Sequence, residues 1–201
     1  MIYSSITCGS KDLVVIDKSI TCKVMLKAFM KIEELINNSE DVVEHIMVII
    51  DSEGGEIEPA FFLYDYLCDL KDREINVVTM AMGTCKSAAA LVFSAGSERV
   101  CGPNTTFMIH DIVLTIPEEK ATKEVLSYSA YTNYQSQRSF ELIAKSLKPE
   151  FDLEYIENQV SDKIEWYFDG RGAHTLGLAT VLFREEVSNG KSTEAQCTSS
   201  E

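Results

Sequence analysis

The run Ile46-Met47-Val48-Ile49-Ile50-Asp51-Ser52-Glu53-Gly54-Gly55 decides the architecture. An unbroken apolar stretch of this length reads as a strand covered on both faces, the habit of parallel sheets. The polar and glycine residues that follow it form a turn. Working outward, Leu13–Ile16 reads as a short strand and Thr21–Asn37 as a helix, with apolar residues at Leu26, Phe29, Met30, Ile32, Leu35 and Ile36. Downstream, the pattern predicts a helix from about Glu58 to Asp72 and a strand over Asn76–Met80. Gly83 opens a turn into a small-residue helix, Ser87–Ser94, and strands follow at Val100–Cys101 and Thr106–Ile109. Strands separated by single helices imply right-handed parallel crossovers, hence an α/β fold.

Pro117 to Leu147 has a different character. Between Pro117 and Pro149 the chain has neither glycine nor proline, and a fully helical run of that length would extend about 46 Å. Its apolar stripe (Val125, Tyr128, Tyr131 or Thr132, Gln135, Leu142 and Ile143) is thin and partly polar. Such a stripe suits a helix that projects and pairs with another subunit better than one buried in a monomer. Asp152–Val160 suggests a further short helix, Trp166-Tyr167-Phe168 leads into a glycine-bearing loop, and Leu176–Phe183 closes the core. Residues 1–184 are therefore expected to form one domain, and 185–201 a polar, disordered tail.

The chain has 201 residues, 18 of them basic and 32 acidic, for a net charge of −14. That balance argues against nonspecific nucleic-acid or anionic-membrane partners. The longest apolar runs are too short to span a bilayer. The six cysteines show neither CxxC pairs nor zinc spacing, and most are expected to be buried thiols in a reducing, cytoplasmic setting. No metal or organic cofactor is indicated.

Three histidines limit the choice of base. His45 reads as a local hydrogen-bonding residue and His174 as an exposed one. His110 ends the apolar run Phe107-Met108-Ile109 at a strand's C-terminal end, the edge where sites of parallel sheets collect. Ser87 stands at a strand-to-helix turn, where backbone amides stabilise negative charge; on its own it reads first as a helix cap, the role serine favours in any helix. The Gly54-Gly55 pair lets backbone amides approach a substrate oxygen. A glycine turn, a serine turn and a histidine thus stand at successive strand ends.

Those blocks resemble the Clp protease proteolytic-subunit family of serine peptidases. Ile50-Asp51-Ser52-Glu53-Gly54-Gly55 is similar to the family's strand with N-S-P-G-G, and Gly83-Thr84-Cys85-Lys86-Ser87-Ala88-Ala89-Ala90 to its G-x-A-A-S-M-G-A nucleophile turn. Gly102-Pro103-Asn104-Thr105-Thr106-Phe107-Met108-Ile109-His110-Asp111-Ile112 resembles L-P-N-S-x-x-M-I-H-Q-P. More loosely, the likeness runs from about residue 13 to 183 and includes the long "handle" helix. It implies a spiral of β-β-α units like that of Clp peptidases and crotonases. Ser87 would be the nucleophile, His110 its base, and the amides of Gly55 and Ala88 the oxyanion hole. Asp162 would be the orienting carboxylate, with Glu165 and Asp169 in reserve.

The resemblance further implies stacked rings that enclose the sites, unfolded polypeptide or peptide substrates, and an ATP-driven AAA+ unfoldase as partner. Departures from the pattern fall at Glu53, in place of proline; at Lys86, in place of a small residue and expected to snorkel to solvent; and at Asp111-Ile112. The stretch Val113–Pro117 has no glycine where the family has a glycine-rich, substrate-pairing segment. Two other readings stay open: a catalytically silent ring subunit, and a crotonase-type acyl-CoA enzyme using Glu53 or Glu56 as base.

Overall fold

The computed structural model describes residues 13–39, 42–113 and 122–183. Four strands run parallel in the order β1 (Leu13–Ile16), β2 (His45–Ser52), β3 (Asn76–Lys86) and β4 (Glu98–Cys101), with a two-residue β7 (Val181–Leu182) beyond β4. Ile46, Val48 and Ile50 of β2 are fully buried, and Met47 lies in a smaller cluster on the other face with Val78 and Val100. Apolar residues on both faces of β2 are what the unbroken run in the sequence required.

Strand β3 is longer than the sequence suggests, because Gly83 does not end it. The first half, Val78–Ala81, pairs with β4, and the second half, Thr84–Lys86, pairs with β5 (Thr106–His110). Gly83 sits between the two halves at φ +75°, a conformation that glycine adopts without penalty. The bend is matched on β2 by a register shift between Ile50 and Ser52. There the Asp51 carboxylate accepts the Thr84 N–H at 2.9 Å. A Cβ on residue 83 would lie 2.9 Å from that carboxylate, so a side chain there would displace Asp51 as well as strain the backbone. β5 then pairs antiparallel with β6 (Glu165–Asp169) and forms a separate arm beyond the fork.

Helices pack on this sheet. α1 (Cys22–Asn38) is capped by Thr21 and packs on β1 and on α2 (Ile57–Asp72). α3 (Ala88–Ser94) is buried along its whole length. Its alanines let the backbone sit close beneath the sheet, and Leu91, Val92 and Phe93 fill the space around it.

α4 (Thr122–Ala144) is the long helix, and its first ten residues are exposed or half-exposed. From Thr132 onward it is tied down by buried Thr132, Gln135, Ser136, Ser139, Phe140 and Ile143. α5 (Leu153–Lys163) packs on α4, with Asp152 as its N-cap. The glycines after Trp166-Tyr167-Phe168, expected in a loop, instead open a helix, α6 (Gly170–Leu176). The reason is packing: a Cβ at Gly170 would fall 1.9 Å from the Gly102 carbonyl oxygen. Asp169 caps α6 by accepting the Gly172 N–H at 2.8 Å. The N-terminal segment, Leu114–Pro117 of the expected substrate-pairing stretch, and the tail from 185 lie outside the described residues.

Candidate active site

The site forms where β2, β3 and β5 end. β3 passes into α3 with a single intervening residue, Ser87, at φ +52° and ψ −124°. A non-glycine residue in this region is strained, and such strain persists only where surrounding structure enforces it. Here the Ser87 N–H donates to the Met108 carbonyl at 2.7 Å, and the fixed strand and helix on either side do the rest. The side chain makes no capping bond to α3. Its Oγ instead lies 2.8 Å from Nε2 of His110, the last residue of β5, and both residues are half-buried. The capping role that the sequence left open is thus not the one Ser87 takes.

The glycine turn lies directly against this elbow. A Cβ on Gly54 would be 2.9 Å from the Ser87 Cβ and 3.3 Å from the Ala88 nitrogen, so only glycine lets the two turns touch. Gly54 and Gly55 have φ of +104° and +149°. The turn is held from behind by Ser52, whose hydroxyl accepts from the Gly54 N–H at 3.2 Å and donates to the Lys18 carbonyl at 2.8 Å. Backbone bonds from Ile20 N–H to Gly54 O and from Glu56 N–H to Ile20 O complete the frame. Among the described residues, the N–H groups of Gly55 and Ala88 donate to no protein acceptor. Two amides without an internal acceptor, beside a serine oxygen, can bind an oxyanion.

The structure does not bring Asp162 to His110. Asp162 lies exposed near the end of α5 and makes no hydrogen bond or ion pair with the imidazole. Asp169 is at the far end of β6, opposite Thr106, and is spent on the α6 cap. Glu165 is the residue directly across the ladder from His110, so the two side chains share a face of the β5–β6 arm. Its carboxylate accepts from the Tyr167 hydroxyl at 3.1 Å.

Lys86 also differs from expectation. Rather than reaching solvent, its ammonium donates to the Glu53 carboxylate at 2.8 Å, and its side chain is only 18% exposed. That hydrogen bond holds Lys86 above the ordinary lysine range. Glu56 accepts a long contact from the Cys22 thiol, so both carboxylates beside the glycine turn are engaged. His45 makes local contacts to Asn76 and Glu44, and His174 is exposed, as the sequence indicated.

Of the four described cysteines, Cys85 and Cys101 are buried and Cys22 is exposed. Burial pushes the Cys85 thiol well up and that of Cys101 to about 12, which leaves both inert. Among the described residues, no group of three or more His, Cys, Asp or Glu could hold a metal ion, and no helix is long and apolar enough to cross a membrane.

The mixed α/β fold brings a half-buried serine and histidine into contact beside a two-glycine turn, and comparison with known proteins narrows the class. Residues 6–185 match the Clp protease family model, and the chain belongs to that family. A curated relative, an ATP-dependent Clp protease proteolytic subunit from Paracoccus denitrificans, is 29% identical over 109 residues, covering 53% of this chain and 52% of that one. The match thus spans about half the length of that relative. A solved structure, a point mutant of ClpP1 from Listeria monocytogenes, superposes with a TM-score of 0.73 at 19% identity, covering 88% of this chain and 93% of that one. That likeness carries the fold.

Proposed function

We propose that this protein is a serine endopeptidase that cleaves peptide bonds by acyl transfer. The observation that carries the reading is the 2.8 Å contact from Ser87 Oγ to His110 Nε2, made by a serine at positive φ against the glycine turn. Ser87 Oγ attacks the peptide carbonyl while His110 Nε2 takes its proton. The carbonyl oxygen becomes an oxyanion between the amides of Gly55 and Ala88. His110 then gives the proton to the departing amine, which leaves an ester on Ser87, and a water activated by the same nitrogen hydrolyses it. For Nε2 to accept, Nδ1 must carry the ring proton. Glu165, across the ladder, is the carboxylate we assign to hold that tautomer in place of Asp162, moving from Tyr167 to the imidazole.

The wider setting belongs to the same proposal. Leu26, Met30 and Phe62 are 50%, 67% and 41% exposed on the α1–α2 surface, and the first half of α4 stands largely open to solvent. Apolar surface of this kind suits a ring of identical subunits enclosing the sites. Family membership supports unfolded polypeptide as substrate, an ATP-driven unfoldase as feeder and a cytoplasmic location. That the Paracoccus relative is an ATP-dependent Clp protease subunit supports ATP dependence.

The test is labelling with a fluorophosphonate, with the adduct mapped by mass. Wild type should carry the adduct on Ser87, while Ser87→Ala and His110→Ala should lose labelling and about 10⁴-fold or more of peptide turnover. A folded, ring-sized assembly that takes no label would favour the silent subunit. Peptide turnover that survives Ser87→Ala would remove the serine mechanism altogether.

A further inference from the structure

Two of the positions at which the glycine turn and the nucleophile elbow depart from the family pattern, Glu53 and Lys86, meet each other. Their bond, at 2.8 Å, is among the described residues the one side-chain hydrogen bond between residues 53–55 and residues 86–88. A proline at 53 would fix the turn from within by locking its own φ. Glutamate leaves that freedom in place, and two glycines follow it. Ser52 and the Ile20 backbone hold the turn from behind, and the ammonium of Lys86 adds a restraint on the side that faces the elbow.

Lys86 also faces the other half of the site. Its ammonium lies 5.9 Å from the centroid of the Tyr167 ring. The hydroxyl of that tyrosine donates to Glu165 at 3.1 Å, and Glu165 stands opposite His110 in the ladder. One path, Glu53–Lys86–Tyr167–Glu165, thus runs from the oxyanion turn to the carboxylate beside the histidine. It passes through the residue immediately before Ser87. A lysine stem is costly to immobilise, and this one is largely covered, so its position is specified by the structure around it.

We propose that Lys86 is a positioning residue, with Glu53 and Tyr167 as its anchors, which holds the oxyanion turn against the nucleophile elbow. It touches neither the substrate nor the reacting atoms. This rests on the serine-peptidase reading above. Its consequence is kinetic: loosening the clamp displaces the Gly55 amide from where the oxyanion develops, an interaction realised in the transition state rather than in substrate binding.

The experiment measures kcat and KM on an uncharged peptide, together with the rate of fluorophosphonate labelling, on the full chain. The variants are Lys86→Met, Lys86→Arg, Glu53→Gln, the Glu53→Gln/Lys86→Met double and the swap Glu53→Lys/Lys86→Glu. Lys86→Met and Glu53→Gln should each lower kcat and labelling rate about 10- to 100-fold, because small misplacements of catalytic groups have effects of that size. KM should stay within about twofold. The double variant should lose no more than either single, and Lys86→Arg should recover most of the rate. Should Lys86→Met fail to fold, Glu53→Gln and the swap carry the same comparison.

Unchanged kcat in the folded single variants, or losses that simply add in the double, would overturn the clamp. So would a change confined to KM and dependent on acidic residues in the peptide, which would make Lys86 a substrate contact. A wild type that takes no label on Ser87 would reject the peptidase reading itself. A labelled wild type with variants labelled equally fast would reject the clamp alone.

Discussion

α3 and the first half of α4 are helices of one chain with opposite relations to it. Every residue of α3 is buried, and its small side chains fit under the sheet with Phe93 packed near Phe107 at 5.3 Å between ring centroids. Residues 122–131 of α4 are open to solvent for most of their length, with Leu126, Tyr128 and Tyr131 at 64%, 40% and 46% exposure. The two helices thus separate what a single chain specifies from what it leaves to others. α3 starts at Ser87, so its complete burial fixes the elbow that presents the serine. The outer half of α4 is exposed for most of its length, tied to α2 at Tyr131, and in the proposed ring it would be the part that meets other subunits.

Phe93→Ala tests this contrast most severely, because it opens a void under the elbow. It should cost about 3–5 kcal/mol, read by denaturant unfolding, and should slow Ser87 labelling even below the transition. A loss of stability with labelling untouched would mean that the elbow is held independently of α3.

A smaller effect is expected where α4 meets α2. There Tyr131 donates to Glu58 at 2.6 Å and is itself met by the Gln135 amide at 2.8 Å. The tyrosine hydroxyl holds Glu58 below the ordinary carboxylate value of 4.5. A carboxylate lowered on folding adds stability that is fully present above that value and is lost as pH falls through the folded pKa. Glu58→Gln should therefore remove about 0.5 kcal/mol or less at neutral pH, given its exposure, and flatten the acid limb of a stability–pH curve. An acid limb identical to wild type would show that the bond does not form in solution.

The smallest effect on the single chain is expected from Leu126→Ser. Unfolding of the dissociated chain should change by about 0.5 kcal/mol or less, whereas sedimentation should show a weakened assembly. Unchanged sedimentation would leave the projecting half without the role assigned to it.

Much of the sheet could be read from the residues, since it depends on local signals, while the serine–histidine pairing comes from the resemblance of three ordered blocks to a known family. The apolar run before the glycine turn, the small-residue helix after Ser87 and the strand ending at His110 each announce themselves within a few positions. The carboxylate proposed for His110 could not be read in either way, for a definite reason. Asp162, Glu165 and Asp169 fall within one short stretch, and the side chains of β6 change face with every step, so the answer depends on ladder register. Register is set by pairings such as Ile109 with Trp166 and Phe107 with Phe168, which no local pattern reveals.

The Lys86–Glu53 pair was hidden in the same way, because its members are 33 positions apart. Gly83 and Gly170 were misread for a related cause. Glycine signals a turn, but here a bend within a strand and the close approach of the Gly102 backbone are what require it.

The fork of β3 has a consequence for how this chain can change over generations. Ahead of Gly83 the strand answers to β4 and to the packing of both sheet faces, so substitutions there are filtered by folding. Beyond it, Thr84-Cys85-Lys86 answers to β5 and to the two turns around Ser87, so substitutions there are filtered by the fit of those turns as well as by the burial of Cys85. One strand thus exposes its two halves to separate selection. A lineage can retune the rim of its site, as Glu53 and Lys86 illustrate, while the sheet that carries the site keeps its own record.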